Sequence, residues 1–155
     1  MSFTAKDVMA LRQKTGLGMM DCKKALNECA GDLAAAEEWL RAKKKGKMDT
    51  RTERVTGEGR IGIAIDGPAG AIVEVRTETD FTARNEQFVA MVEDVTRAAL
   101  QQPTGDVSAT DDMTKRIDDL RIVTGENVNF ARGVKIEGGT LGQYVHHDGK
   151  RGVLI

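Results

Sequence analysis

The spacing of apolar residues changes once along this chain, and that change limits the fold more than any other feature. Up to about residue 42 they recur three and four apart, the repeat of one helix face. From Arg60 they alternate with small or polar residues, as a strand with two unlike faces requires. A pattern of one period does not fit the other structure. The chain is therefore expected to be α+β, with a helical unit first and a mixed unit after it.

Helix punctuation divides the first unit. Thr4 is a good N-cap with Asp7 three residues on, a shortened capping box, and Val8 and Leu11 begin an apolar face. Thr15-Gly16 closes that helix, since glycine takes the left-handed terminal conformation at little cost. A second helix reads from Met20 to Ala30 with Cys22, Ala25, Leu26 and Cys29 on one face, closed by Gly31. Asp32 caps a third, whose buried stripe is expected to be Leu33, Ala36, Trp39 and Leu40. Residues 1–42 are thus expected to form a three-helix bundle with a thin core. Residues 43–59 hold almost no large apolar groups and read as a charged linker or a solvated charged helix.

The second unit begins as a hairpin. Ile61, Ile63 and Ile65 alternate, Asp66 to Gly70 turn, and Ala71, Val73 and Val75 alternate again. A helix is expected from Arg84 to Gln101, with Phe88, Met91, Val92, Val95 and Ala99 on one side, and another from Asp111 to Thr124. Strands follow at 128–136 and 141–147, Asp148-Gly149 is a hairpin turn signal, and 152–155 start a further strand. Residues 60–139 read as one α+β core subdomain with antiparallel strands and a helical hairpin. Residues 142–155 echo residues 62–73 as strand, turn and strand, and 140–155 read as the start of a second, incomplete subdomain, because an apolar strand with nothing to cover it is a poor place for a domain to stop.

Charge follows the same division. The net charge of −1 conceals +4 over residues 1–56 and −5 over the remainder, so the two units present different surfaces. Nucleic-acid binding by the whole chain is disfavoured, because that needs a strongly basic domain. Cys22 and Cys29 lie seven apart with no histidine near them, which suits small core residues on one helix face. No apolar run approaches the ~18 residues of a membrane span, and the N-terminal residues lack a signal-peptide pattern, so a cytoplasmic protein is expected.

Catalytic constellations are missing from the sequence. It holds no phosphate-binding G-x-x-x-x-G-K-[ST] loop and no G-x-S-x-G elbow. His146 and His147 are adjacent, and in a strand they would point to opposite faces, so they cannot share a metal. Glu78 and Asp80 are paired carboxylates with nothing converging on them. The expectation is a protein that is not an enzyme and holds no metal or cofactor of its own.

Two stretches break local rules. In 15–26, TGLGMMDCKKAL, two methionines follow a glycine-framed turn, where they can either tuck into the small core or offer flexible, polarizable contacts to a partner. In 77–85, TETDFTARN, Phe81 lies at a strand–helix junction outside the core pattern, either as a plug for its own domain or as a protruding anchor.

Residues 15–26 and 79–85, with Gly125-Glu126-Asn127 and Gly142 to His147 in the same order, resemble the motifs of the elongation factor Ts family. The likeness runs over nearly all of the chain. It implies a ubiquitin-associated-type bundle followed by the first α+β core subdomain and the opening of a second. It also implies a partner, elongation factor Tu, and a role in promoting release of its GDP. In the family the Phe at the Phe81 position wedges beside the partner's Mg²⁺ site, and the Asp at the Asp80 position helps to place it. Arg12, Met19 and Met20 match positions where the bundle docks, and His147 matches a contact from the second subdomain. Thr79, Arg84, Asn85, Gly125, Glu126 and Asn127 complete the motifs. Long members use the second subdomain for partner and dimer contacts.

Departures from the family pattern bear on that reading. Thr82 stands where Val is usual, and Ala131-Arg132 where two arginines are common. Three hypotheses follow: an exchange factor, a module that docks without exchanging nucleotide, and a ribosome- or RNA-binding protein acting through Lys43 to Lys47. The third lacks the aromatic platform that single-stranded nucleic acid needs.

Overall fold

A computed structural model describes residues 3–155, which divide into two compact units, one ending at Thr52 and the other running from Glu53 to Ile155. In the first, α1 (Ala5–Thr15), α2 (Met19–Glu28) and α3 (Leu33–Asp49) form the three-helix bundle. Thr4 and Asp7 make the full reciprocal capping box, and Gly16 ends α1 in the left-handed region at φ 68°. The core is Val8, Leu11, Leu17, Cys22, Ala25, Leu26, Ala36, Leu40 and Met48, with Cys29 only half-buried.

Three details of this unit differ from the sequence reading. Helix α2 ends at Cys29 in a Schellman motif, in which Gly31 N–H donates to Leu26 O (2.8 Å) and Ala30 N–H donates to Asn27 O (3.4 Å). The left-handed residue ahead of Gly31 is therefore an alanine, Ala30, at φ 51°. Leu33 is exposed, and Trp39 lies half-buried beneath the Lys43 ammonium, 4.5 Å from its ring centroid. Helix α3 also continues through the first seven residues of the charged segment 43–59, because Ala36, Leu40, Lys44 and Met48 repeat every fourth residue on its buried face. Lys44 is half-buried there and its ammonium reaches Asp21 at 2.7 Å.

The second unit is built on a four-stranded antiparallel sheet of β1 (Glu58–Asp66), β2 (Ala69–Thr77), β4 (Val128–Glu137) and the short edge strand β3 (Gly105–Asp106), in the order β1-β2-β4-β3. Helices α5 (Glu86–Leu100) and α6 (Asp111–Thr124) form the helical hairpin. Phe88, Met91, Val92, Val95 and Ala99 of α5 join Ala71, Val73 and Val75 of β2 in one core, which Met113, Ile117 and Leu120 of α6 extend. Strand β1 reaches α5 through its small residues. A Cβ on Gly62 would come within 2.1 Å of Thr96 Oγ1, so only glycine admits this approach. Ile61 and Ile63 lie on the other face of the sheet, against Gly152.

Strands β5 (Gln143–Val145) and β6 (Gly152–Leu154) pair as a separate small hairpin around Asp148-Gly149. Leu154 covers Gly70 on the outer face of the sheet, and Ile61 N–H donates to Gly149 O at 2.8 Å. No helix among the described residues is long and apolar enough to cross a membrane.

Candidate functional site

Register brings the central motifs together. Thr77, the last residue of β2, lies opposite Val128, the first of β4. The residues that follow β2 therefore run beside those that precede β4, and 77–80 meet 125–127. Gly125, left-handed at φ 73°, ends α6 and turns the chain into β4. The two segments exchange carboxylates. Glu126 Oε2 accepts from the Thr77 hydroxyl (2.8 Å) and Thr79 N–H (3.1 Å), while Oε1 accepts from the Thr79 hydroxyl at 2.6 Å. In return, Glu78 Oε1 accepts Asn127 N–H at 2.6 Å. Glu78 also faces Arg54 at 3.5 Å, and the Asn127 side chain donates to Arg54 O at 2.9 Å.

This latch supports a single helical turn, α4 (Asp80–Ala83). Thr79 is its N-cap and accepts from Thr82 N–H; Asn85 caps α5 immediately afterwards by accepting from Gln87 N–H at 2.8 Å. Thr82 and Ala83 are buried under the turn, and Phe81 points the other way with 84% of its surface exposed. The protruding reading of Phe81 thus describes its placement, and the core aromatic of this unit is Phe88. Asp80 pairs with Arg84 across the turn at 3.4 Å.

Thr82 is buried at this position, and its hydroxyl is among the groups that favour the ionised Glu126 carboxylate. Partial burial pushes the Glu126 carboxyl upward, but hydrogen bonds from Thr79, Thr82 and Thr77 outweigh it and hold the group below the usual carboxylate range. Arg132 has a different role from this site: its guanidinium bonds Glu74 at 2.6 Å on the neighbouring strand.

The remaining site residues lie on other elements. Arg12 is exposed near the end of α1, and Met19 and Met20 open α2 with 49% and 76% of their surfaces exposed. The sequence left open whether those methionines tuck inward; both face solvent while Leu17 fills the core. His147 is exposed in the β5–β6 turn, its ring 4.2 Å from that of His146, whose Nδ1 hydrogen-bonds the Tyr144 hydroxyl at 2.8 Å.

Sequence reasoning gave Thr77 and Arg54 no role and expected nothing to converge on Glu78, on which Asn127 N–H and Arg54 do converge. Their partners at Glu126 and Asn127 are 49 to 73 residues distant, and no local pattern marks such a pairing. It also treated 79–85 and 125–127 as two motifs, whereas the structure makes them one construction.

Two family models match this chain. The one described as elongation factor TS covers residues 78–155, and the one described as elongation factor Ts, mitochondrial, N-terminal covers residues 1–47. Among curated proteins named elongation factor Ts, that of Beijerinckia indica is 41% identical over 98% of this chain and 54% of its own length. That of Parvibaculum lavamentivorans is 42% identical over 98% and 54%, and that of Treponema denticola 39% over 100% and 56%. The chain spans about half the length of the curated relatives it matches. With the 79–85 and 125–127 motifs folded into one latch, and with matched models reaching into both units, the chain belongs to the elongation factor Ts family.

Proposed function

We propose that this chain promotes GDP release from elongation factor Tu in translation, by seating Phe81 beside the partner's Mg²⁺ and phosphate site. The observation that carries the reading is a phenylalanine 84% exposed on a turn whose own base is buried and hydrogen-bonded. An exposed aromatic of this kind has an unfavourable contact with water that a partner's apolar pocket would relieve. Held by a rigid base, it also loses little freedom on binding.

The physics of exchange needs no reaction at this chain. Mg²⁺ demands a near-octahedral shell of waters and phosphate oxygens, so a small displacement of the groups ordering that shell weakens metal and nucleotide together. A factor that binds the empty GTPase most tightly must, by linkage, weaken nucleotide binding by the same factor. Inverting a population from mostly GDP-bound to mostly free takes about 5 kcal/mol of such coupling. One buried aromatic anchor supplies about 2–4 kcal/mol of binding, a large part of the requirement.

Asp80, paired with Arg84, steadies the turn beside the ring. Met19, Met20 and Arg12 supply a docking surface on the helical bundle, where exposed thioethers adapt to an apolar partner. His147 adds a contact from the β5–β6 hairpin. In this reading the chain is a cytoplasmic, non-enzymatic factor. The metal and nucleotide it acts on are the partner's.

The test is release of a fluorescent GDP analogue from elongation factor Tu, with and without this chain and its Phe81→Ala variant. Acceleration by the wild type, cut about 30-fold or more in Phe81→Ala, is the expected result. Because the chain spans about half of its relatives, docking without exchange is the second reading. Complex formation with no change in GDP release would establish it and remove the first.

A further inference from the structure

Phe81 is the most exposed aromatic of the chain, and nothing at its ring explains why it should keep one orientation. The ordering has to come from below. Helix α4 has four residues, too short to hold itself, because a single helical turn fixes several dihedrals for about one hydrogen bond. Its N-cap, Thr79, is fixed by one side chain from elsewhere in the chain. Glu126 takes the Thr79 backbone N–H at 3.1 Å and the Thr79 hydroxyl at 2.6 Å, and its second bond to Thr77 ties the same carboxylate to the end of β2. These bonds reach across 47 to 49 residues, so they report the pairing of β2 with β4 directly to the base of the turn. Charge-assisted hydrogen bonds are about twice as strong as neutral ones, which makes this carboxylate the strongest single tie on α4.

We infer that Glu126 is the positioning residue for Phe81: its carboxylate orders the α4 turn so that the ring is presented in one geometry. This deepens the exchange reading and rests on it for its functional consequence, while the ordering itself is a property of the free chain. Glu126 touches neither partner nor nucleotide in this role. A glutamine keeps an acceptor for Thr77 and the Thr79 N–H, and its amide N–H can donate to the Thr79 hydroxyl, so Glu126→Gln retains most of the brace. Glu126→Ala removes it and leaves a backbone N–H without its acceptor.

The experiment has two arms on the full chain. Hydrogen exchange of the free protein reads the amides of Thr79, Ala83 and Arg84 against those of β2 and α5. In Glu126→Ala the α4 amides are expected to exchange at least about tenfold faster while the sheet and α5 amides keep their protection, and Glu126→Gln restores most of the difference. GDP-release assays then place Glu126→Ala in wild-type and Phe81→Ala backgrounds. A loss of about tenfold with the ring present, falling below about twofold in the Phe81→Ala background, is the coupling expected of a residue that acts through the ring.

Unchanged α4 protection in Glu126→Ala overturns the inference. So does an equal loss of activity in both backgrounds, which would make Glu126 an independent contact. If the wild-type chain does not accelerate GDP release at all, the exchange reading fails. The hydrogen-exchange arm still decides whether Glu126 orders the turn.

Discussion

The turn at residues 15–20 and the turn at residues 77–83 both place large apolar side chains in water, and they are built in opposite ways. The first is local. Gly16 N–H donates to Arg12 O, Leu17 N–H to the Thr15 hydroxyl, and Cys22 N–H to Gly18 O, all within five residues of their acceptors. Gly18 caps α2 with no side-chain bond, and the side chains on display are flexible methionines. The second is long-range, with Glu126 and Glu78 crossing 47 to 49 residues, and it displays a ring with two torsions. A local turn with adaptable side chains forms as soon as its two helices do and tolerates variation in what it meets. A braced turn with a rigid ring exists only after β2 and β4 have paired, and it can deliver force to one place.

The largest effect that tests this contrast compares two phenylalanines seven residues apart. Phe88 is fully buried in the core, and Phe88→Ala is expected to cost about 3–5 kcal/mol through lost burial and the cavity left behind. Phe81→Ala is expected to change stability by less than about 0.5 kcal/mol, because the ring is already in water. Urea unfolding followed by far-UV circular dichroism measures both. A cost above about 2 kcal/mol for Phe81→Ala would make the ring part of its own domain's packing.

Smaller effects are expected at the local turns. Gly16→Ala places a Cβ at φ 68° and should destabilise the bundle by about 1–2 kcal/mol. Ala30→Gly relieves a residue already at φ 51° and should stabilise it by about 0.5–1 kcal/mol. Trp39 is the sole tryptophan and lies in the first unit, so its fluorescence reads these two variants without interference from the second. Opposite signs at two left-handed positions would show that backbone conformation, more than packing, sets the stability of the local turns.

The smallest effect expected is a pH dependence confined to the braced turn. The Glu126 carboxyl is held below its ordinary range, so its contribution is fully present above about pH 4.3 and is lost as pH falls through its folded value. The stability difference between wild type and Glu126→Gln should therefore narrow on acidification. A difference that stays constant down to about pH 3 would assign the brace to shape and not to charge.

Much of the fold was legible in the sequence because its signals are local. The Thr4–Asp7 box, the Gly16 terminus, the Asp32 cap and the α5 stripe from Phe88 to Ala99 each depend on residues within a few positions of one another. The end of α3 is hidden from such a reading because Lys44, a charged residue, occupies the buried repeat between Leu40 and Met48, with its ammonium carried out to Asp21. The alternation of Ile61, Ile63 and Ile65 marks a strand without saying which face meets the helices; β1 approaches them through Gly62, and only the packing of α5 shows which side needs the small residue.

Sequence alone sufficed for a helical unit followed by a mixed one, for the main helices and strands in order and for the family motifs, because periodicity and capping act over one or two turns of chain. Tertiary structure alone decided that residues 77–80 and 125–127 form one latch, that Phe81 faces outward, and that Glu126 rather than a nearer residue holds its turn. The reason is the register of β2 against β4, set by Thr77 opposite Val128. A strand pairing across about fifty residues is fixed by the whole core packed upon it, and no local run of residues encodes it.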